Sequence, residues 1–349
     1  MSSRDVTGEF IGDVSGGIGT DDQPDRGPET PAKGDRAIAL SRWALPALLV
    51  VFLVVFSVLR PDTYFTVNNF RTIAVTQAVL GILALAAVLP LVIGAFDVSI
   101  AANLGLSSIL VTGLSAKSGL PAVVAIILAI LVCTIIGLIN GTIIGRLEIN
   151  PFIVTLAMST IISGLVLWYS NGTTIYENVP KLLHDIGFTR IIGVPLPVWI
   201  LGVIALIAWY VTQHTPLGRY LYALGGSAEA ARLSGLKVTG LTVLTFALAG
   251  MLAGIAGVVQ AGELGVGNPT VGPDLLLPAF AAAFLGATAI RVGSFNVWGT
   301  IIAVYLLAAG VTGLEQVGVP SFVEPIFNGV ALMVAVTVVH VLRRDADGA

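Results

Sequence analysis

The stretch LGGSAEAARLSGLKV, Leu224 to Val238, is polar and rich in small residues, and it carries three charges, Glu229, Arg232 and Lys237. It lies between apolar runs in a chain that is 56% hydrophobic and 11% charged. Soluble proteins are roughly 25% charged, and the mean hydropathy of this chain is +0.96. Apolar runs of about 20 residues, the length that crosses a bilayer core as a helix, recur on both sides of the stretch. The fold class follows: an all-α polytopic membrane protein, with Leu224–Val238 as a polar connection between two spans.

About ten spans are expected, at roughly 42–59, 71–94, 98–115, 121–145, 151–169, 196–213, 240–261, 274–290, 295–314 and 323–342. Residues 1–41 are rich in Gly, Asp, Pro and Ser and lack apolar periodicity, so they read as a disordered acidic tail. No basic start and apolar core mark them as a signal peptide. The membrane domain is then 42–342, with a short tail at 343–349. If the N-terminus is cytoplasmic, twelve of the 17 Lys and Arg residues fall inside. The other five, Arg60, Arg71, Lys117, Lys181 and Arg190, fall outside. That bias satisfies the positive-inside rule and places both termini in the cytoplasm. An outer loop over 170–195 is long enough for a short helix.

The residue inventory argues against catalysis by this chain. The three His residues, His184, His214 and His340, show no metal-ligand spacing. No nucleophile elbow is present, and no Gly-Lys dipeptide, hence no phosphate-binding P-loop. The carboxylates Asp97, Glu148, Glu263, Asp274, Glu315 and Glu324 all fall near span ends, so no buried proton relay is visible. Na⁺ sites built from backbone carbonyls would escape that test. Cys133, the one cysteine, lies in an apolar run and reads as a small buried hydrophobe. Gly250 and Gly254 form a GxxxG spacing, which serves ordinary helix packing or a dimer face.

Within the opening stretch, Ser227 is suited to cap a helix and Glu229 to sit near its positive start. Ala228, Ala230 and Ala231 favour helix, and Gly235 is suited to end it in a left-handed conformation. About two turns of exposed helix would result, joined to the spans through Gly225-Gly226 and Lys237-Val238. Two roles stand: docking to another protein, or a structured passive loop.

At this point the residues resemble a known family. GAFDVSIAANLGL (94–106), GLINGTIIGRLEINPFIVTLAMS (137–159), NGTTI (171–175), TPLGRYLYALGGSAEAARLSGLKV (215–238), FALAGMLAGIAGVV (246–259) and AAFLGATAIRVGSFNVWGT (282–300) occur in family order. The resemblance, from about Phe70 to Leu342, is to the permease subunits of ribose-type ABC importers. The chain departs from the family pattern at Ala95, Ser163, Ala287 and Arg291, which leaves the substrate open. The resemblance implies a multi-pass protein of the bacterial plasma (inner) membrane, paired with a second permease copy. It implies an ABC ATPase subunit that uses ATP and Mg, and an extracytoplasmic sugar-binding protein. This chain would hold no cofactor or metal, have no catalytic residue and bind no nucleic acid. The coupling helix would comprise Gly225, Gly226, Ser227, Glu229, Ala230, Ala231, Arg232, Ser234 and Gly235.

Sugars need hydrogen-bonding partners, so polar residues at helix breaks are the translocation-path candidates. Asp97, Ser99 and Asn103 lie at one break, and Ser99 and Asn103 share a helix face at i,i+4. Asn140, Asn150, Phe152 and Thr155 bracket another, and Gln260 and Asn268 lie near the outer end of the seventh span. Each has a plainer reading as a helix cap or interhelical hydrogen bond. The rival functions are a permease for a nucleoside or signal molecule, an ion-coupled secondary carrier, and a membrane enzyme.

Overall fold

A computed structural model describes residues 33–347, with side chains for 42–339. The acidic tail expected at 1–41 lies outside the described residues up to position 32. The helices are α1 (Lys33–Leu59), α2 (Val67–Val92), α3 (Ser99–Ala116), α4 (Ala122–Leu147), α5 (Pro151–Ser170), α6 (Lys181–Phe188), α7 (Leu196–His214), α8 (Pro216–Gly226), α9 (Ala228–Leu233), α10 (Val238–Leu264), α11 (Val271–Asp274), α12 (Leu276–Gly286), α13 (Val297–Val317) and α14 (Val323–Asp347). Strands β1 (Arg190–Ile191) and β2 (Val194–Pro195) form a small antiparallel hairpin after α6. Helix dominates because a bilayer offers no partners for open backbone groups. Eight of the described helices are long and apolar enough to cross a membrane by length and composition.

The core is built on α2, α3 and α10, which are mostly buried, while α1, α4, α5 and α7 present broad apolar faces outward. Glycine sets how closely the inner helices approach. A Cβ on Gly137 of α4 would run into the Phe246 carbonyl of α10, and one on Gly250 of α10 into the Cys133 carbonyl of α4. Gly250 and Gly254 therefore serve packing inside one chain. Close backbone contact of this kind replaces the hydrophobic drive that lipid cannot supply between helices. The Ser107 hydroxyl of α3 then donates to the Gly254 carbonyl at 2.6 Å.

Two helix breaks position the polar residues. Pro90 closes α2: its carbonyl accepts from Ile93 at 3.1 Å and from Ala95 at 2.9 Å. Gly94 then turns the chain with φ +77°. The second break revises an expectation. The eighth span, expected as one helix over 274–290, is shorter: α12 covers Leu276–Gly286. After α10 the chain turns back along α3, with Gly267 against Ser108 and Thr112 and Gly272 against Ala101 and Gly105. Gly267 exchanges backbone hydrogen bonds with Ile175 at 2.8 and 2.9 Å. Only then does α12 form, and its 11 residues rise about 16 Å, half a hydrocarbon core of roughly 30 Å. Pro269, Pro273 and three glycines over 265–272 explain the missing helix. Beyond α12, the Asn296 amide donates to the carbonyls of Gly286, Ala289 and Ser294 at 3.0–3.1 Å. Its oxygen caps α13 by accepting from the Gly299 N–H at 2.8 Å.

Opposite outcomes are expected at two glycines. Gly250→Leu drives a side chain into the α4 backbone, so the folded yield in detergent should collapse. Gly164→Ala on α5 meets nothing within 4 Å and should raise stability by up to about 1 kcal/mol. Size-exclusion profiles and thermal melts of the two variants check this.

Candidate functional site

Two arrangements stand out, one at each level of the α9 end of the bundle. The first is the polar connection itself. Pro216 opens α8, whose Leu221 and Leu224 are buried. The Tyr222 hydroxyl donates to the Phe295 carbonyl at 2.7 Å. Gly225 rests on the Val92 carbonyl at the end of α2, where any Cβ would collide. Gly226 is exposed. Ser227 is extended (φ −158°, ψ 114°) and breaks α8 from α9. Its hydroxyl oxygen accepts from the Ala230 N–H at 3.2 Å, as an N-cap does. Glu229 follows in the first turn, where a negative charge suits the helix dipole.

The far end of α9 is a Schellman closure. Gly235 has φ +83°, its N–H donates to the Arg232 carbonyl, and the Leu236 N–H donates to the Ala231 carbonyl. The Ser234 hydroxyl donates to the Ala230 carbonyl at 2.9 Å. Within α9 only Ala231 is buried, and Leu233 is 84% exposed. One tether was not legible in the sequence. Arg232 Nη2 meets Glu148 Oε1 at 2.8 Å, joining α9 to the end of α4. Glu148 is left-handed (φ 54°) as it turns the chain from α4 toward α5. The two residues are 84 positions apart, so no spacing rule connects them. A cleft of about 570 Å³ lies between α9, the end of α4 and the start of α10.

The second arrangement is the break between α2 and α3, which gathers five of the path candidates. Asp97 Oδ1 accepts from the Ser99 N–H at 2.9 Å and the Ser99 hydroxyl at 2.6 Å. The Asn140 amide of α4 donates to the Ser99 hydroxyl oxygen at 3.0 Å. Thr155 of α5 accepts from the Val98 N–H at 3.1 Å and donates to the Pro151 carbonyl at 2.9 Å. Asn103 lies one turn further along α3, fully buried, with both amide atoms unpaired. Asp97 Oδ2 and Asn140 Oδ1 are unpaired too. Burial pushes the Asp97 carboxyl from 3.8 up to about 6, while its bonds from Ser99 pull the other way.

The remaining candidates lie apart from this cluster. Asn150 caps α5 through the Phe152 N–H at 2.9 Å, and the Phe152 ring is half exposed on the outer face of α5. Gln260 is buried in α10 toward its C-terminal end. Asn268 closes a local turn on Thr270 at 2.9–3.0 Å in the connection before α11. At the opposite end, α6 and the β hairpin border a cleft of about 270 Å³ that includes Arg71, Arg190 and Glu263. In the sequence, Arg71 and Arg190 count only as outside charges and Glu263 as a span-end carboxylate. No cluster of metal-ligating side chains occurs among the described residues.

A bundle of membrane-length helices carrying an exposed, doubly capped helix at one end is the form of a transport permease. A family model described as the permease component of the branched-chain amino acid transport system matches residues 69–339. The ribose import permease protein RbsC of Escherichia coli K12 is 34% identical over 306 residues, 87% of this chain and 94% of that one. RbsC of Bacillus subtilis 168 is 34% identical over 291 residues, 82% of this chain and 89% of its own. The autoinducer 2 import system permease protein LsrD of Photorhabdus laumondii is 31% identical over 299 residues, 84% and 89% of the two chains. No solved structure matches. The chain belongs to this permease family: it is a multi-pass inner-membrane transport subunit.

Asp97→Asn tests the buried break. The folded pKa lies above the ordinary value, so the native protein keeps a proton that the unfolded chain releases. Its contribution to stability is therefore lost as pH rises from about 4 to about 6. Melting temperatures taken across that window should fall less steeply for Asp97→Asn than for the parent. Parallel curves would show that the carboxyl ionises freely in the folded state.

Proposed function

We propose that this chain is the membrane subunit of an ATP-driven importer that carries a small neutral sugar or related polyol. A binding protein delivers the solute at the α6 end. A separate ABC ATPase, using ATP and Mg, docks on α9 at the cytoplasmic end, and a second permease copy completes the path. The solute class follows the full-length relatives whose names specify ribose rather than the amino acids in the family description.

The observation that carries the proposal is the construction of α9. A six-residue helix is too short to hold itself together in water. This one is closed at both ends, seated through Gly225 and tied to α4, yet its outer surface is left open. That combination suits a part that is gripped by another protein and moves as a rigid piece. Orientation is supported by charge: Arg42, Arg146, Arg219, Arg232, Lys237 and Arg291 lie on the α9 side, with Arg343 and Arg344 at the end of α14.

Purification of the tagged permease from its native membrane should bring down an ATPase whose hydrolysis rises with ribose-loaded binding protein. Glu229→Trp alters only the exposed face of α9 and should lower uptake on the order of tenfold, equivalent to about 1.4 kcal/mol of docking. Gly235→Trp, which forces a bulky residue into a left-handed position, should do the same or worse. Normal uptake by both variants would make α9 a passive loop. Uptake by the purified chain alone, driven by an ion gradient, would establish a secondary carrier instead.

A further inference from the structure

The irregular chain from Gly265 to Thr270 leads into the four-residue α11 and the short α12, and α11 lies deep in the bundle. Gly272 packs on Ala101 and Gly105, and from Gly105 to the end of α3 at Ala116 is about 16 Å. That is close to the middle of a hydrocarbon core of roughly 30 Å. A helix as short as α11 leaves open backbone groups at both ends, and at membrane depth these survive only where protein buries them or where they line water. One side of this segment is buried on α3. Its other side is open: Thr270, Pro273, Asp274 and Leu277 are all exposed.

That open side does not face a lipid-like wall. It forms a groove of about 460 Å³ with the first turns of α14, bordered by Asp274, Leu277, Glu324, Asn328 and Gly329. Two of these are carboxylates, and one of them, Asp274, is two residues from Gly272, where a charge facing hydrocarbon costs several kcal/mol. Asn328 is 8% exposed, yet its amide has no hydrogen-bond partner among the described residues. Neither amide atom is sealed off from the groove that Asn328 lines. A ligand or water in the groove can take both its donor and its acceptor. The volume lies within the range of small-molecule sites.

We infer that this groove, between the α11–α12 segment and the start of α14, is a wall of the solute path. The Asn328 amide and the Asp274 carboxylate meet hydroxyl groups of the passing solute. Asp274 and Glu324 also give the wall a negative field, which favours neutral polyols over phosphorylated ones. The inference rests on the reading of the chain as a sugar permease, but its location does not depend on which sugar is carried.

The test is thiol labelling in membrane vesicles that hold the whole importer. Asp274→Cys and Asn328→Cys are compared with the outward apolar positions Val50→Cys and Val203→Cys, 58% and 53% exposed. Tyr176→Cys, 68% exposed in the connection before α6, reports that reagent has reached the protein. Native Cys133 is buried and sets the background. A membrane-impermeant cationic methanethiosulfonate should label the two groove positions on the order of tenfold faster than the two lipid controls, since reactivity follows exposure to water. Labelling no faster than at Val50→Cys and Val203→Cys, with Tyr176→Cys modified, overturns the inference, whether lipid or a second copy fills the groove. Ribose should slow labelling of Asn328→Cys, and a sugar phosphate should not. Rapid labelling that ribose leaves unchanged keeps the wall where it is placed and counts against ribose as the solute.

Discussion

Backbone contact between α4 and α10 is the constraint on which the rest of the bundle depends. In lipid, two helices gain nothing by hiding apolar side chains from each other, so association rests on close packing and hydrogen bonds. Gly137, Gly141 and Gly145 along α4 meet Phe246, Val243 and Thr239 of α10, and Gly250 and Gly254 return the contact from α10. Backbone atoms are the nearest neighbours of Gly137, Gly141, Gly145 and Gly250, and the Cys133 side chain lies against Gly254. The Thr239 hydroxyl closes the inner end by donating to the Gly145 carbonyl at 2.9 Å. With these helices locked, α3 is held against α10 through Gly257 and Ser107. Every polar group on α3 then faces protein.

That arrangement explains why the chain tolerates so much polarity inside. Ser99, Asn103, Ser107, Ser108 and Thr112 are all fully buried on one helix. Ser99 is paired by the Asp97 carboxylate and the Asn140 amide at the helix break, while Ser107 and Thr112 bond backbone carbonyls. Asn296 does the same at the other end of α12, where four hydrogen bonds secure an irregular connection. The unpaired atoms are not scattered at random. Several gather at the α2–α3 break, where Asp97, Asn103 and Asn140 each leave an oxygen without a donor. A core assembled only for stability would replace such groups by apolar ones.

Long apolar runs were legible in the sequence because length and hydropathy are local properties, and all ten expected positions carry apolar helix. The caps of α9 were legible for the same reason: Ser227 and Gly235 act within a few residues of themselves. The eighth span is shorter than the apolar run that marks it, Leu276–Gly286 against 274–290. Pro269, Pro273 and the nearby glycines precede position 274, so they bear on the connection before the run and not on the run itself. The Arg232–Glu148 pair and the groove beside Asn328 carried no local signal at all. Both depend on which helix ends the topology brings together. Asn103 and Asn140 were found as isolated polar residues, but only the fold shows that they border one break.

Stiff and soft links divide the route from α9 into the bundle. The Arg232–Glu148 pair is largely exposed, and such a pair contributes about 0–1 kcal/mol. It can be exchanged for another partner at little cost, so it orients α9 without fixing it. Gly225 against Val92 is different, because two backbones in contact have no side chain to compress. Displacing α8 therefore displaces the end of α2. From there six residues, 93–98, lead to α3, and Thr155 holds their far end to α5 through the Val98 N–H. The end of α8 is thus linked to α2 by backbone contact and the 93–98 connection to α5 by the Thr155 hydroxyl, whereas the α4–α10 pair is tied along its length by glycine.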